Sequence, residues 1–248
     1  MTPRDLARQD DRFDAVVLAG GRARRLGGVP KPTLVLRGTT LEQHALAAAV
    51  GARRTVVVGP VPTTPAPGHR WPPGRDVVRT REDPPFGGPV AGLDAGLQAL
   101  RRPAAAGGAD DADDGDSEHP PWVLLLAVDV PHAAVAVPRL RAAAATAAPG
   151  TDGAYLVHDG RPQWLVGMYR HDALRRALAT VCGPDGPAGI PVRQLLAPLR
   201  CLEVPDDEGL SQDVDTWDDA RRLTVEARRP VAGPPDEPRP HSSQEARR

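Results

Sequence analysis

Three short segments of the chain are apolar along nearly their whole length rather than at alternate positions. They are 14–19, 55–58 and 122–128. A strand with one solvated face alternates apolar and polar residues, so continuous apolar segments of this length are typical of strands buried on both faces. Helical patterns at Leu41–Gly51 and Val90–Leu100 separate them. Strands that alternate with helices predict a parallel sheet covered by helices on both faces.

The chain is therefore expected to form one α/β domain over residues 14–227, a single Rossmann-like three-layer unit with a mostly parallel mixed sheet. The sheet is expected to be mixed because apolar segments at 154–157 and 164–169 flank a turn-like sequence and predict an antiparallel pair. The last helix is predicted over 216–227. Three segments are expected to be a flexible N-terminal arm, a disordered acidic insertion and a disordered Pro-rich tail: 1–13, about 102–120 and 228–248.

The charges of the chain are balanced, with 31 basic and 32 acidic residues and a net charge of −1. This balance excludes a globally basic nucleic-acid-binding protein and leaves only a local basic site. The two cysteines, Cys182 and Cys201, cannot build a disulfide framework. No apolar segment approaches the roughly 18–20 residues that cross a bilayer, and residues 1–14 lack a signal-like apolar region. We therefore expect a cytoplasmic protein that binds neither nucleic acid nor membrane.

Lys31 is the only lysine of the chain, and every other basic residue is an arginine. It lies in loop 18–31, which leaves a strand, carries paired glycines and exposes amide groups that can form an anion-binding nest. A lysine is a compact charge that approaches a phosphate closely. The loop is not a dinucleotide fingerprint, because arginines stand at positions 22 and 25 where glycines are needed, nor a Walker A loop, because Pro30 precedes Lys31.

Four motifs follow one another along the predicted domain. They are Leu18-Ala-Gly-Gly with Arg25-Leu-Gly and Lys31, then Gly88-Pro-Val-Ala-Gly92, then Leu125-Leu-Ala-Val-Asp129-Val-Pro131, and finally Asp213-Val-Asp215-Thr216. In content, order and spacing this set resembles the MobA-like nucleotidyltransferases, and within that family the molybdenum cofactor guanylyltransferases most closely. The resemblance covers the whole segment 14–227.

The resemblance implies a reaction in which GMP passes from GTP to the phosphate of molybdopterin or of the molybdenum cofactor, with release of pyrophosphate. It implies Mg²⁺ as the cofactor, because a hard cation favours carboxylate and phosphate oxygens. Two alternatives stay open within the same site: CTP in place of GTP, and another phosphorylated acceptor. A third is a nucleotide-binding partner protein without turnover. The oligomeric state is not predicted.

The resemblance also implies roles for individual residues. Lys31 and Arg25 are expected to offset triphosphate charge, and Asp129 is expected to hold the metal ion, with Asp215 as a second metal ligand. Contacts to the nucleotide are expected from loop 18–31 and from the second motif, at Leu18, Gly20, Gly21, Lys31, Gly88 and Gly92. An acid upstream of the second motif joins them: Asp83, or its neighbour Glu82 if the register shifts.

Four residues keep two interpretations each. Asp213 and Asp215 are either part of the site or acids at a helix N-terminus, which the helix dipole favours. Gln163 and Trp164 lie on a strand where the family often presents the acceptor, but packing in the core is the favoured interpretation.

Overall fold

The computed structural model describes residues 12–21, 24–60, 76–101, 120–223 and 225–226. The arm, insertion and tail expected from the sequence fall almost entirely outside these ranges. Among the described residues, no helix combines the length and the apolar character that a bilayer crossing requires.

Within the described ranges, ten strands form two sheets. Their bounds are β1 Phe13–Leu18, β2 Val35–Leu36, β3 Thr39–Thr40, β4 Arg54–Val58, β5 Asp76–Thr80, β6 Trp122–Ala127, β7 Gly153–His158, β8 Arg161–Arg170, β9 Cys201–Pro205 and β10 Val225–Glu226. The main sheet has the order β5-β4-β1-β6-β8-β7-β9, and the small sheet has the order β10-β2-β3.

All strands of the main sheet except β8 run in one direction. Strand β1 is parallel to both β4 and β6, and Val16 lies opposite Val56 and Leu125. Strand β8 is antiparallel to its neighbours β6 and β7, whereas β7 and β9 are parallel. The predicted mostly parallel mixed sheet is confirmed, including its antiparallel pair. Because β1, β4 and β6 are parallel, their carboxyl ends meet at one edge of the sheet.

In the same part of the chain, six α-helices accompany the strands. Their bounds are α1 Leu41–Ala48, α2 Pro89–Leu100, α3 Ala133–Ala145, α4 His171–Val181, α5 Val192–Leu196 and α6 Trp217–Arg222. Helices α1 and α3 pack on one face of the main sheet, and α2, α4 and α5 pack on the other. Alternate residues of one central strand enter the two cores, so that Leu124 packs with the first set and Leu125 with the second. The continuous apolar strands therefore belong to a sheet buried on both faces.

A third, smaller core packs loop 24–36 against the segment that follows β9. Its fully or almost fully buried members are Leu26, Leu34, Leu36, Leu41, Val214 and Ala220. The first four come from the Gly-rich loop and the start of α1, and the last two come from the region of the fourth motif. This cluster is what brings two motifs that are distant in sequence to the same edge of the sheet.

Two local predictions are wrong. The last helix was predicted to reach residue 227, but α6 ends at Arg222, because Val225 then pairs with Leu36 in the small sheet. From its arginine, glycine and proline content, the segment 22–38 is expected to be a loop, yet it contains 3-10 helices at Arg24–Leu26 and Lys31–Thr33 and the strand β2. In both cases a partner far away in sequence supplies hydrogen bonds or apolar contacts that local composition does not reveal.

Candidate active site

A cleft of about 480 Å³ opens at the carboxyl edge of the main sheet. The last residues of β1, β4 and β6 form its floor: Leu18, Val58 and Ala127. Most of its remaining lining comes from the Gly-rich loop, the start of α2, strand β8 and the residues just before α6. The cleft therefore lies where ligands bind in open α/β sheets, beyond the carboxyl ends of parallel strands.

One side of the cleft is built largely from glycine, and we call it the glycine wall (18–21 and 88–92). Gly20, Gly21, Gly88 and Gly92 all line the cleft. Gly88 precedes helix α2 with a φ of 93°, a conformation that residues with a side chain rarely adopt. A Cβ added at Gly92 would lie 3.0 Å from Leu18 Cδ2, so a side chain at this position would have to displace the Leu18 side chain. At these four glycines the wall therefore presents backbone rather than side chains to a ligand.

The opposite side is built from side chains, and we call it the bulge wall (162–166). Five consecutive residues of β8 line the cleft there: Pro162, Gln163, Trp164, Leu165 and Val166. A regular strand turns alternate residues to opposite faces, so five in a row require a distortion. The distortion is a shift in the pairing register. Tyr155 of β7 pairs with Gly167 of β8, but the next residue of β7, Leu156, pairs with Gln163. Bulges of this kind re-aim side chains next to functional sites.

The bulge is fixed by aromatic contacts. The Tyr169 hydroxyl donates a hydrogen bond of 2.8 Å to the carbonyl of Trp164. The half-buried Trp164 ring packs on Tyr155, with ring centroids 4.4 Å apart and the planes tilted by 52°. Gly167 lies against the Tyr169 ring, where an added Cβ would come within 2.6 Å of a ring carbon. Trp164 thus has one side in the core and another in the cleft.

Lys31 and two carboxylates form a cluster at the edge of the cleft. The Lys31 ammonium donates hydrogen bonds of 2.6 Å to Asp129 Oδ2 and 2.5 Å to Asp215 Oδ1. Arg25 approaches the other oxygen of Asp215, with 3.7 Å between Nη1 and Oδ2. The side chains of Lys31 and Asp129 are only 15% and 14% exposed, whereas that of Arg25 is 75% exposed. Lys31 is therefore the cation that this cluster holds tightly.

A third carboxylate completes the cluster. Ligand oxygens of Asp129, Asp213 and Asp215 all lie within 4.8 Å of one another. Desolvation of the Asp213 carboxyl by its neighbours and the negative charges of Asp129 and Asp215 raise the pKa of Asp213, although Lys31 opposes them. Burial by itself lowers the pKa of Lys31, but the charges and hydrogen bonds of Asp129 and Asp215 outweigh it and raise this pKa above its usual value. Three hard oxygen donors this close together suit a divalent cation such as Mg²⁺ or Mn²⁺.

The segment that carries Asp213 and Asp215 is held in place by backbone bonds and a buried acid. The Val214 amide donates to the Asp129 carbonyl at 3.0 Å, which ties the fourth motif to the end of β6. Asp206, only 1% exposed, accepts hydrogen bonds from the Leu210 amide at 2.8 Å and from the Ser211 amide and hydroxyl at 2.8 and 2.6 Å. Burial alone raises the pKa of Asp206, but these bonds outweigh it and lower the pKa below its usual value.

The two acids upstream of the second motif differ in position. Asp83 is exposed and is not among the residues that line the cleft, whereas Glu82 is 7% exposed and lines it. Glu82 Oε1 accepts a hydrogen bond of 3.0 Å from the Phe86 amide. Glu82 Oε2 is buried and makes no hydrogen bond within the described part of the chain. The alternative register, with Glu82 as the acid that faces a ligand, fits this arrangement.

The residues predicted from the sequence are otherwise brought together. Six line the cleft: Leu18, Gly20, Gly21, Gly88, Gly92 and Asp129. Lys31, Asp215 and Arg25 join them through the cluster on Asp129. Asp213, left open by the sequence, lines the cleft and belongs to the same cluster, and its spacing of two from Asp215 was the available signal. Sequence reasoning missed Ser211 and Phe86, which also line the cleft and belong to no recognised motif.

Comparisons with known proteins agree with this geometry. Residues 15–202 match the model of the MobA-like NTP transferase domain. The molybdenum cofactor guanylyltransferase of Acidiphilium cryptum (strain JF-5) is 34% identical over 212 residues, which cover 83% of this chain and 90% of that protein.

Two solved structures share the fold. The protein Rv0371c of Mycobacterium tuberculosis H37Rv has a TM-score of 0.59 at 24% identity, covering 86% of this chain and 98% of its own, and it has also been solved in complex with manganese. The molybdopterin-guanine dinucleotide biosynthesis protein A from Archaeoglobus fulgidus has a TM-score of 0.53 at 19% identity, covering 85% of this chain and 96% of its own. At these identities the likeness concerns the fold alone.

Proposed function

The chain belongs to the MobA-like NTP transferase family and is a nucleotidyltransferase, and we propose that it transfers GMP from GTP to the phosphate of molybdopterin or of the molybdenum cofactor. The observation that carries the proposal is the cluster of Lys31, Asp129 and Asp215 at one end of a cleft whose side wall is glycine. The relative from Acidiphilium cryptum, which carries this activity in its name, supports the choice of substrates.

The reaction needs positioning and charge neutralisation more than covalent chemistry. An oxygen of the acceptor phosphate attacks the α-phosphorus of GTP, and the bond between that phosphorus and the oxygen bridging to the β-phosphate breaks. Negative charge grows on the departing pyrophosphate. Groups that hold the two substrates in line and offset this charge lower the barrier.

The glycine wall would hold the nucleotide. Amide groups of Gly20 and Gly21 are available where no side chain intervenes, and the N-terminal end of helix α2 lies on the same wall. Backbone donors and the positive end of a helix favour phosphate groups. Gly88 and Gly92 leave space for the base and ribose. We assign to Glu82, rather than Asp83, the hydrogen bond to the base, because Glu82 lines the cleft and one of its carboxylate oxygens makes no hydrogen bond within the described part of the chain.

Asp129 and Asp215 would hold a divalent cation, with Asp213 as a further oxygen donor. The three carboxylates fit such an ion in chemistry and in spacing. When bound, the ion neutralises triphosphate charge and fixes the phosphate geometry. Lys31 lies within hydrogen-bond reach of the same carboxylates and would offset the charge of the triphosphate, assisted by the exposed Arg25 at the mouth of the cleft.

The proposal is tested with the purified protein, molybdopterin, Mg²⁺ and one nucleotide at a time. We expect pyrophosphate release with GTP and a guanylylated product by mass spectrometry. Turnover with CTP but not GTP would overturn the choice of base. The absence of turnover with every nucleotide and acceptor, despite nucleotide binding, would instead identify a binding protein without catalytic activity.

The assignment of the acid is tested by a matched pair of variants. Glu82→Gln keeps the shape of the side chain and removes its charge, and we expect a raised KM for GTP. Asp83→Asn, one residue away on an exposed position, is the control and should leave this KM unchanged. The reverse result would assign the contact to Asp83.

A further inference from the structure

The Lys31 ammonium lies between Asp129 and Asp215, two of the three carboxylates that could hold a metal ion. It lies 2.6 Å from Asp129 Oδ2 and 2.5 Å from Asp215 Oδ1, so it bridges two residues that are otherwise joined only by the fold. The side chain comes from the 3-10 helix Lys31–Thr33 in the Gly-rich loop, whereas Asp129 follows β6 and Asp215 precedes α6. One cation thus links three separate segments of the site.

An ammonium and a divalent ion cannot share these two oxygens at full strength. A magnesium or manganese ion lies about 2.1 Å from its carboxylate ligands, which would bring it close to the ammonium. Like charges at such a distance repel strongly in a cleft that is partly shielded from water. Lys31 and Asp129 are both largely buried, so solvent screens this repulsion only in part. The metal and the ammonium therefore compete.

We propose that Lys31 is a place-holder for the metal ion, and that arrival of the nucleotide triphosphate exchanges the two. This inference rests on the proposed function. The ammonium holds Asp129 and Asp215 in register and keeps divalent ions from binding tightly there. Phosphate oxygens on the glycine wall offer the ammonium a new partner, and the two carboxylates become available to the metal. The exchange makes metal binding depend on the nucleotide, so that the charge needed for the reaction assembles only around a substrate.

Arg25 provides a matched control for this idea. It is also a cation on Asp215, but its Nη1 lies 3.7 Å from Oδ2, its side chain is 75% exposed, and it contacts the oxygen that Lys31 does not use. Removing Arg25 lowers the positive charge near the cluster by the same amount as removing Lys31. It does not vacate the position between the two carboxylates. A general effect of charge is thus separable from competition for one position.

The test is a titration of the full-length protein with Mn²⁺, followed by electron paramagnetic resonance, with and without GTP and with no acceptor present. Without GTP, we expect Lys31→Met to bind Mn²⁺ about tenfold more tightly than wild type, since the competing cation is gone, and Arg25→Met to change the affinity only a few-fold because exposed charges are screened. GTP should tighten Mn²⁺ binding strongly in wild type and much less in Lys31→Met. Lys31→Arg, which retains a cation at this position, should stay close to wild type, and thermal melts establish that each variant folds.

Two results would overturn the inference. One is a Lys31→Met protein that binds Mn²⁺ no more tightly than wild type in the absence of GTP. The other is an equal gain in Lys31→Met and Arg25→Met, which would reduce the effect to net charge. Failure of the proposed function gives a different result. In that case none of the proteins binds Mn²⁺ in the presence of GTP, which contradicts both the proposed function and the place-holder role of Lys31.

Discussion

The two walls of the cleft differ in the groups that they present to a ligand. The glycine wall (18–21 and 88–92) removes side chains so that backbone amides and a helix terminus face the ligand, whereas the bulge wall (162–166) distorts a strand so that consecutive side chains face it. Backbone groups are the same for any sequence, so the first wall suits the part common to all nucleotides. Side chains vary, so the second wall suits the acceptor, and the two walls should respond differently to substitution.

The largest effect is expected between the walls, at Asp129. Asp129→Asn keeps the shape of the side chain and removes the charge that holds Lys31 and would hold the metal. Turnover should fall by about 10²–10³-fold or more, the loss typical of removing one preorganised electrostatic group. Steady-state pyrophosphate release measures it, and a thermal melt close to that of wild type excludes unfolding. Near-normal activity would remove Asp129 from the reaction.

The next effect belongs to the glycine wall. Gly92→Val places methyl groups where a Cβ alone already lies 3.0 Å from Leu18 Cδ2. We expect the KM for GTP to rise by roughly tenfold or more, equivalent to about 1.4 kcal/mol of lost binding, because the new side chain displaces Leu18 at the cleft, while the KM for the acceptor stays near its wild-type value. A thermal melt shows separately whether overpacking has cost the variant about 1–3 kcal/mol of stability. An equal rise in both constants would show that the two walls do not serve separate substrates.

The bulge wall should show the reverse asymmetry. Trp164→Ala removes the ring that lies between Tyr155 and the cleft. The KM for the acceptor should rise by about tenfold, comparable to the 1–3 kcal/mol that a stacked aromatic contributes to binding a heterocycle, and the KM for GTP should stay unchanged. Trp164→Phe is the matched control and should recover most of the acceptor affinity. If GTP binding suffers instead, the nucleotide lies against this wall.

The smallest kinetic effect is expected at Asp206, which touches neither wall directly. Its lowered pKa means that its hydrogen bonds stabilise the folded state at a pH above the ordinary aspartate value, and that this contribution is lost as the pH falls through the lowered value. Asp206→Asn should cost about 1–3 kcal/mol of stability at neutral pH and much less in acid. Thermal melts from pH 7 to pH 3 measure the difference, and a constant difference across that range would contradict the assignment. Both KM values should change little.

The local sequence was sufficient for the central strands and for the glycine wall. Strands β1 and β6 were predicted because continuous apolar segments bury on both faces without reference to any particular partner. Gly20, Gly21, Gly88 and Gly92 were recognised from the motifs that contain them, because a glycine is often needed where the backbone itself adopts an unusual conformation or approaches another group closely. Asp129 belongs to the same class, because it directly follows a strand that its own residues specify.

Features that depend on a distant partner were decided only by the tertiary structure. Helix α6 ends at Arg222 because Val225 pairs with Leu36 in the small sheet. The helix propensity of the local sequence does not predict that strand. The bulge that turns 162–166 into the cleft arises from the register between β7 and β8. Whether Glu82 or Asp83 lines the cleft depends on which of the two side chains the fold buries.

Lys31 was identified from the sequence, but its partners in the protein were decided by the fold. It was singled out as a candidate site residue because it is the only lysine of the chain, and its position in loop 18–31 predicted a phosphate as its partner. In the folded chain it lies between Asp129 and Asp215, which are 98 and 184 residues away. Sequence patterns predict the local structure around a residue but not its partners elsewhere in the chain. The partner of a charged side chain is set by the packing of the third core, which brings the Gly-rich loop against the fourth motif and leaves one lysine between two carboxylates.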